Sequence, residues 1–221
     1  MTTRAALLVL ADGRFPAGGH AHSGGAEPAV EAGRIRDAQD LAGFCLGRLN
    51  TTGLTSAALA AAAAHGLDPL ALDEAADART PSPALRAVAR RLGRQLMRAA
   101  RATWPGPGLD ALATARPRGA HQPVVLGLTA RAAGLGLQDA AHCAAYEAVS
   151  GPATAAVRLL SLDPFEAAAV LARLAPELDR VAAEAAAAAR QGIDALPAAS
   201  APLLDITAEA HAAWPVRLFA S

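Results

Sequence analysis

The 221-residue sequence predicts an all-α protein, a single-domain bundle of roughly ten helices spanning residues 1–221. Three observations predict it. Alanine, leucine and arginine dominate, and all three are strong helix formers. Aromatic residues make up only 3% of the chain and β-branched residues are few, so the usual strand formers are scarce. Hydrophobic residues reach 53%, enough for one substantial core.

Taken in order, apolar periodicity and helix-stop residues place helices at about 4–11, 27–32, 37–50, 55–65, 69–78 and 83–103, then at 123–134, 138–160, 164–191 and 201–213. Asp37 is a natural N-cap for the third, and Ser82 followed by Pro83 is one for the sixth, since a short polar side chain accepts an orphan backbone N–H and proline suits the first helical position. In that sixth helix Leu85, Ala89, Leu92 and Leu96 repeat as a packing face. Arg86, Arg90, Arg94, Arg98 and Arg101 form a separate basic stripe, expected to be solvated, with an acidic partner as the functional alternative. Residues 102–123 are the longest proline- and glycine-rich break and read as a surface loop. Pro176 removes a backbone donor inside the last long helix, which should kink or divide there, while Leu171, Leu174, Leu178 and Val181 mark its core seam. The alanine runs 60–64 and 185–189 read as low-complexity helix.

Composition also limits function. The formal net charge is zero and every basic residue is arginine, so no overall field favours nucleic acid or an anionic membrane. No apolar run approaches the roughly 20 residues of a membrane span. Cys45 and Cys143 stand far apart with no CxxC pair, which suits a reduced, cytoplasmic setting rather than a disulfide or zinc framework.

Catalytic motifs fail one by one. A P-loop needs a lysine on the terminal phosphates, and the chain has none. HExxH, GxSxG and a strand-flanked GxGxxG are missing too, so the chain reads as a non-enzyme, and Ser23 in "HSGG" reads as a cap or turn residue. The informative stretch is "RFPAGGHAHSGGAEPAV", from Arg14, too rich in glycine for a helix or strand and carrying His20 and His22. Neutral imidazoles ligate nickel, zinc or copper, but two ligands do not close a site; a third would come from Cys45 or His121. The residues leave two readings: a loop shaped for a partner with at most transient metal contact at His20 and His22, or a small helical metal-binding protein or metalloenzyme built on that loop. His65, His121, His142 and His211 read as core, cap or surface histidines.

The stretch resembles the N-terminal signature of the urease accessory protein UreF family, with the pattern falling on Asp12, Pro16, Gly18, Gly19, Ser23, Gly25 and Glu27. The likeness continues in order through Gly93, Arg94, His121, Pro123, Gly127, Tyr146, Arg158 and Leu159, and ends on His211, Arg217, Leu218, Phe219 and Ser221. His20 and His22 replace an aromatic pair common in the family, Ala220 stands where an arginine is frequent, and a glutamine often found after "RLLSLDP" is absent.

The resemblance implies a non-catalytic, all-helical homodimer without a resident cofactor. It would join a UreD/UreH-type accessory protein and a UreG-type GTPase in a complex that delivers nickel to apo-urease in a GTP-dependent step. On that reading the flexible loop 12–27 and the tail 212–221 bind partners. Contacts are assigned to Pro16, Gly18, Gly19, His20, His22, Ser23, Gly25 and Glu27 in the loop, to Arg94 and Arg158 beyond it, and to His211, Arg217, Leu218 and Phe219 in the tail. Pro215 stops the last helix, so Arg217, Leu218 and Phe219 form a short amphipathic hook expected to order when a partner arrives.

Overall fold

The computed structural model describes residues 5–219. Among them the elements are α1 (Ala5–Ala11), α2 (Ala26–Glu31), α3 (Ala38–Arg48), a π-helical turn (Leu49–Gly53), α4 (Leu54–His65), α5 (Pro69–Ala78), α6 (Pro83–Thr103), α7 (Pro107–Ala115), α8 (Gln122–Ala132), α9 (Leu137–Leu160), α10 (Pro164–Ala189) and α11 (Pro202–Ala212), with short 3-10 turns at Gly19–Ala21 and Ile193–Ala195. The all-α prediction stands, with no strand among the described residues. Arg4, Ala220 and Ser221 lie outside the described residues.

The alanine-rich α4 is the central helix, packed against α8, α9 and α10. Ala57, Ala58 and Ala60–Ala63 are all buried, so the run that looks like filler is the axis of the core. Small side chains let neighbouring backbones approach closely. Gly127 of α8 crosses α4 so tightly that a Cβ there would overlap the Ala60 carbonyl oxygen, and a Cβ on Gly93 of α6 would overlap that of Ala120.

Both predicted caps are present. Asp37 accepts the N–H groups of Gln39 and Asp40 at 2.9 and 2.8 Å, and Ser82 Oγ accepts that of Leu85 at 3.1 Å. Glu209 of α11 reinforces the start of α6 by accepting from Ser82 Oγ and, at 2.8 Å, from Ala84 N.

Two expectations change and a third is met in part. The break 102–123 contains α7: Pro107 opens it, and Leu109 and Leu112, three apart, bury one face. The helix was hidden because it is short and its flanking prolines and glycines dominate the composition. Pro176 does not divide α10, which is continuous from Pro164 to Ala189. Residue 172, one turn back, is exposed, so its freed carbonyl can be solvated. The basic stripe of α6 stays exposed at Arg94, Arg98 and Arg101, as a solvated face should, but it also makes bonds within the chain that the spacing did not show. Arg86 Nη1 donates to the Thr80 carbonyl at 2.6 Å, Arg94 Nη1 to that of Arg118 at 2.7 Å, and Arg101 pairs with Asp110 at 2.6 Å.

Arg90 joins a buried network that sequence spacing could not show. Asp73, 1% exposed, accepts from Arg90 at 3.1 Å, Arg116 at 2.8 Å and the His121 backbone N–H at 2.8 Å. Asp77 takes the other Arg90 nitrogen at 2.6 Å and His121 Nε2 at 2.8 Å. Burial lowers the His121 pKa, while its hydrogen bond to Asp77 opposes that shift. This network ties α5 to α6 and to the segment between α7 and α8.

Candidate functional site

The loop preceding α2 and the tail following α11 meet at one carboxylate. Ser23, wholly buried, accepts the Glu27 N–H through Oγ at 3.2 Å from the turn that precedes α2, whose N-cap is Gly25. Gly24 and Gly25 take positive φ, +59° and +89°, which brings the chain sharply into that helix. Glu27 is thereby directed inward and is only 7% exposed.

Its carboxylate is fully used. Oε2 lies 2.9 Å from His211 Nε2 and accepts the Phe219 N–H at 3.1 Å, while Oε1 accepts the Leu218 N–H at 2.7 Å. His211, also buried, meets the Trp214 ring edge-on at 4.7 Å between centroids. Phe219 is buried beneath the Arg158 guanidinium, whose carbon lies 5.2 Å from the ring centroid, a cation–π geometry. Glu27, Arg158, His211, Leu218 and Phe219, drawn from four places in the sequence, thus form one cluster.

The tail differs in one respect from a free hook. Phe219 is already seated in its own chain, whereas Val216 and Leu218 are 81% and 71% exposed and Arg217 is exposed between them. The segment is irregular, with bends at 215 and at 218–219, and the backbone N–H groups of Leu218 and Phe219 both turn to Glu27.

The remaining loop residues are divided between shape and surface. Arg14 pairs with Asp12 at 2.6 Å, and Phe15 stacks on Trp104 at 5.7 Å, fixing the loop against the end of α6. Gly18 has φ +84°, and a Cβ there would collide with the Gln95 side chain; Gly19 lacks both constraints and opens to solvent. Pro16 and His20 are exposed. His22 is buried, and desolvation, with Arg91 nearby, holds its pKa down at about 4.

The structure does not gather every predicted residue here. Arg94 turns away to the Arg118 carbonyl. Cys45 is buried, donates to the Val149 carbonyl at 3.8 Å, and has its thiol pushed up to about 12 by burial; His121 is held by Asp77. Among the described residues no three His, Cys, Asp or Glu side chains come together as metal ligands.

A groove of about 530 Å³ runs beside this cluster, between the loop, α6, α9 and α11. Leu85, Ala89 and Leu92, expected to pack, are half-buried along its wall; Leu96 alone of that face reaches the core. On the opposite wall sits Glu147, half-buried, its Oε2 accepting from Gln122 Nε2 at 2.5 Å and its pKa raised by burial to about 7. Gln95, Gln122 and Glu147 were not legible as site residues, because only tertiary packing gives them neighbours.

These features define an all-helical protein in which a buried carboxylate of α2 holds the segment after α11 beside a groove. The UreF family model matches residues 35–175. "Urease accessory protein UreF" of Mycolicibacterium vanbaalenii is 45% identical over the full length of both chains, and that of Mycobacterium sp. strain JLS is also 45% identical over the full length of both. The protein of the same name from Mycobacterium tuberculosis H37Rv is 42% identical over 96% of this chain and 95% of its own. The chain belongs to the UreF family of urease accessory proteins.

Proposed function

We propose that this protein is a non-catalytic scaffold and regulator of urease maturation, which binds a UreD/UreH-type accessory protein and a UreG-type GTPase and promotes GTP-dependent nickel insertion into apo-urease. Family membership supplies the process. The observation that carries the scaffold reading is the Glu27 clamp, which spends a buried carboxylate on holding the tail so that Val216, Arg217 and Leu218 face outward. Two exposed apolar side chains flanking an arginine make a compact docking strip, with arginine available for a bidentate carboxylate contact. His20, exposed in the neighbouring loop, extends that surface and offers nickel a transient imidazole ligand.

The test is co-purification with the two accessory proteins, read by native mass and metal content, comparing the full chain with a chain lacking residues 212–221. The expected result is a complex containing both partners with the full chain, and loss of the UreD/UreH-type protein, with unchanged helix content, for the truncated one. A truncated chain that still assembles and activates urease normally would overturn the role given to the tail. Stoichiometric metal on the isolated chain, with turnover of a substrate, would overturn the scaffold reading in favour of a metalloenzyme.

A further inference from the structure

Pro152, inside α9, has no N–H to give the carbonyl one turn back, at Ala148. Arg48, the last residue of α3, supplies the missing donor: its Nε reaches the Ala148 oxygen at 2.9 Å. The guanidinium lies beneath Gly24, where an added Cβ would come within 3.4 Å of Cζ. Its terminal nitrogens, Nη1 and Nη2, have no acceptor among the described residues, and no carboxylate there pairs with it. Burial lowers the Arg48 pKa, a sign that the cation is poorly solvated, although a guanidinium stays charged.

Four residues on, across the π-helical turn, stands Thr52. Its Oγ1 is buried without a hydrogen-bond partner, unlike that of Thr51, which donates to the Gly47 carbonyl at 2.8 Å. A half-buried cation with no counter-ion and an orphaned buried hydroxyl side by side on a groove wall are polar groups left over by the fold, and π-turns recur at functional sites. Both residues border the groove, beside the apolar surface of Pro152 and Leu204.

We propose that Arg48 and Thr52 form a carboxylate-binding notch in the groove wall. The two free guanidinium nitrogens match the two oxygens of a carboxylate in a planar fork, and a χ1 rotation of Thr52 adds a hydroxyl donor. One cation without a counter-ion suits a monoanion, and the apolar surroundings suit a carboxylate on a short alkyl stem. The stem belongs either to an acidic side chain of a bound polypeptide or to a free small acid. The notch is independent of the tail-docking reading above.

The test titrates the full-length chain with sodium propionate and, separately, with the blocked tripeptide Ac-Ala-Glu-Ala-NH2, following the backbone amide resonances of Gly24 and residue 52, which every variant retains, with sodium chloride as the ionic-strength control. A saturable shift with either probe, weakened at least fivefold in Thr52→Val and lost in Arg48→Gln, is expected. Should Arg48→Gln fail to fold for want of the Ala148 hydrogen bond, Thr52→Val, which removes no bond of the fold, decides. Tighter binding of the tripeptide assigns the notch to a polypeptide side chain; equal binding assigns it to a free acid. No saturable shift with either probe, or the same affinity in Thr52→Val, overturns the proposal.

Discussion

Glu147→Gln should stabilise the protein at alkaline pH and leave it unchanged in mild acid. The Glu147 carboxyl is raised from 4.5 to about 7 by burial, with only the Gln122 amide to favour its charge. The folded state therefore binds this proton more tightly than the unfolded state. The cost of ionising it is absent below the unfolded value of 4.5, accumulates as pH rises from there to the folded value of about 7, and is complete above about pH 8. A shift of that size corresponds to roughly 3 kcal/mol at 1.36 kcal/mol per unit, and because the residue borders the groove, solvent screening reduces it to about 1–2 kcal/mol. Glutamine keeps an oxygen for Gln122 and carries no charge, so it removes the cost without opening a cavity. Urea unfolding of both chains at pH 5 and pH 8.5 measures the effect as a difference. Buried His22, held at about 4, tilts the parent the other way: its contribution is present above pH 6.5 and lost as pH falls toward 4. His22 is common to both chains and cancels. A difference that stays flat between the two pH values, or a parent that is the more stable at pH 8.5, would refute the assignment of Glu147 as a buried acid.

Glu27→Ala leaves the His211 ring and two backbone N–H groups without their acceptor and should cost about 3 kcal/mol, releasing the tail; limited proteolysis should then cut near residues 214–219 while the helices survive. Gly18→Val, which meets both a positive φ and Gln95, should destabilise by about 2 kcal/mol in thermal unfolding, whereas Gly19→Val should change stability by less than about 0.5 kcal/mol. Asp73→Ala leaves the buried His121 N–H and Arg116 Nε without their acceptor and takes one of two carboxylates from Arg90, which keeps Asp77; it should cost about 3 kcal/mol by urea denaturation, with a parent-like stability ruling out the buried network as a structural tie.

Most helices, and the starts of α3 and α6, were legible along the chain, whereas the short α7 was not. Ala, Leu and Arg bias the backbone locally, and the Asp37 and Ser82 caps act within three residues, so neither needs a partner from elsewhere in the chain. The motif that opens with Asp12 and the "LLDITAEAHAAWPVRLFAS" tail were likewise legible, because family signatures are patterns along the chain. How those pieces act together is set by packing between distant segments. Glu27 and His211 are 184 positions apart, and their meeting depends on how α2 and α11 pack, which no local propensity encodes. The same holds for Arg48 replacing the donor that Pro152 lacks, 104 residues away, and for Arg90, which looks like one more solvated arginine until Asp73 and Asp77 are brought beside it. Burial is a property of the whole fold: it turned Phe219 inward, left Leu218 outside, and raised Glu147 while lowering His22, because desolvation penalises whichever form of a group is charged.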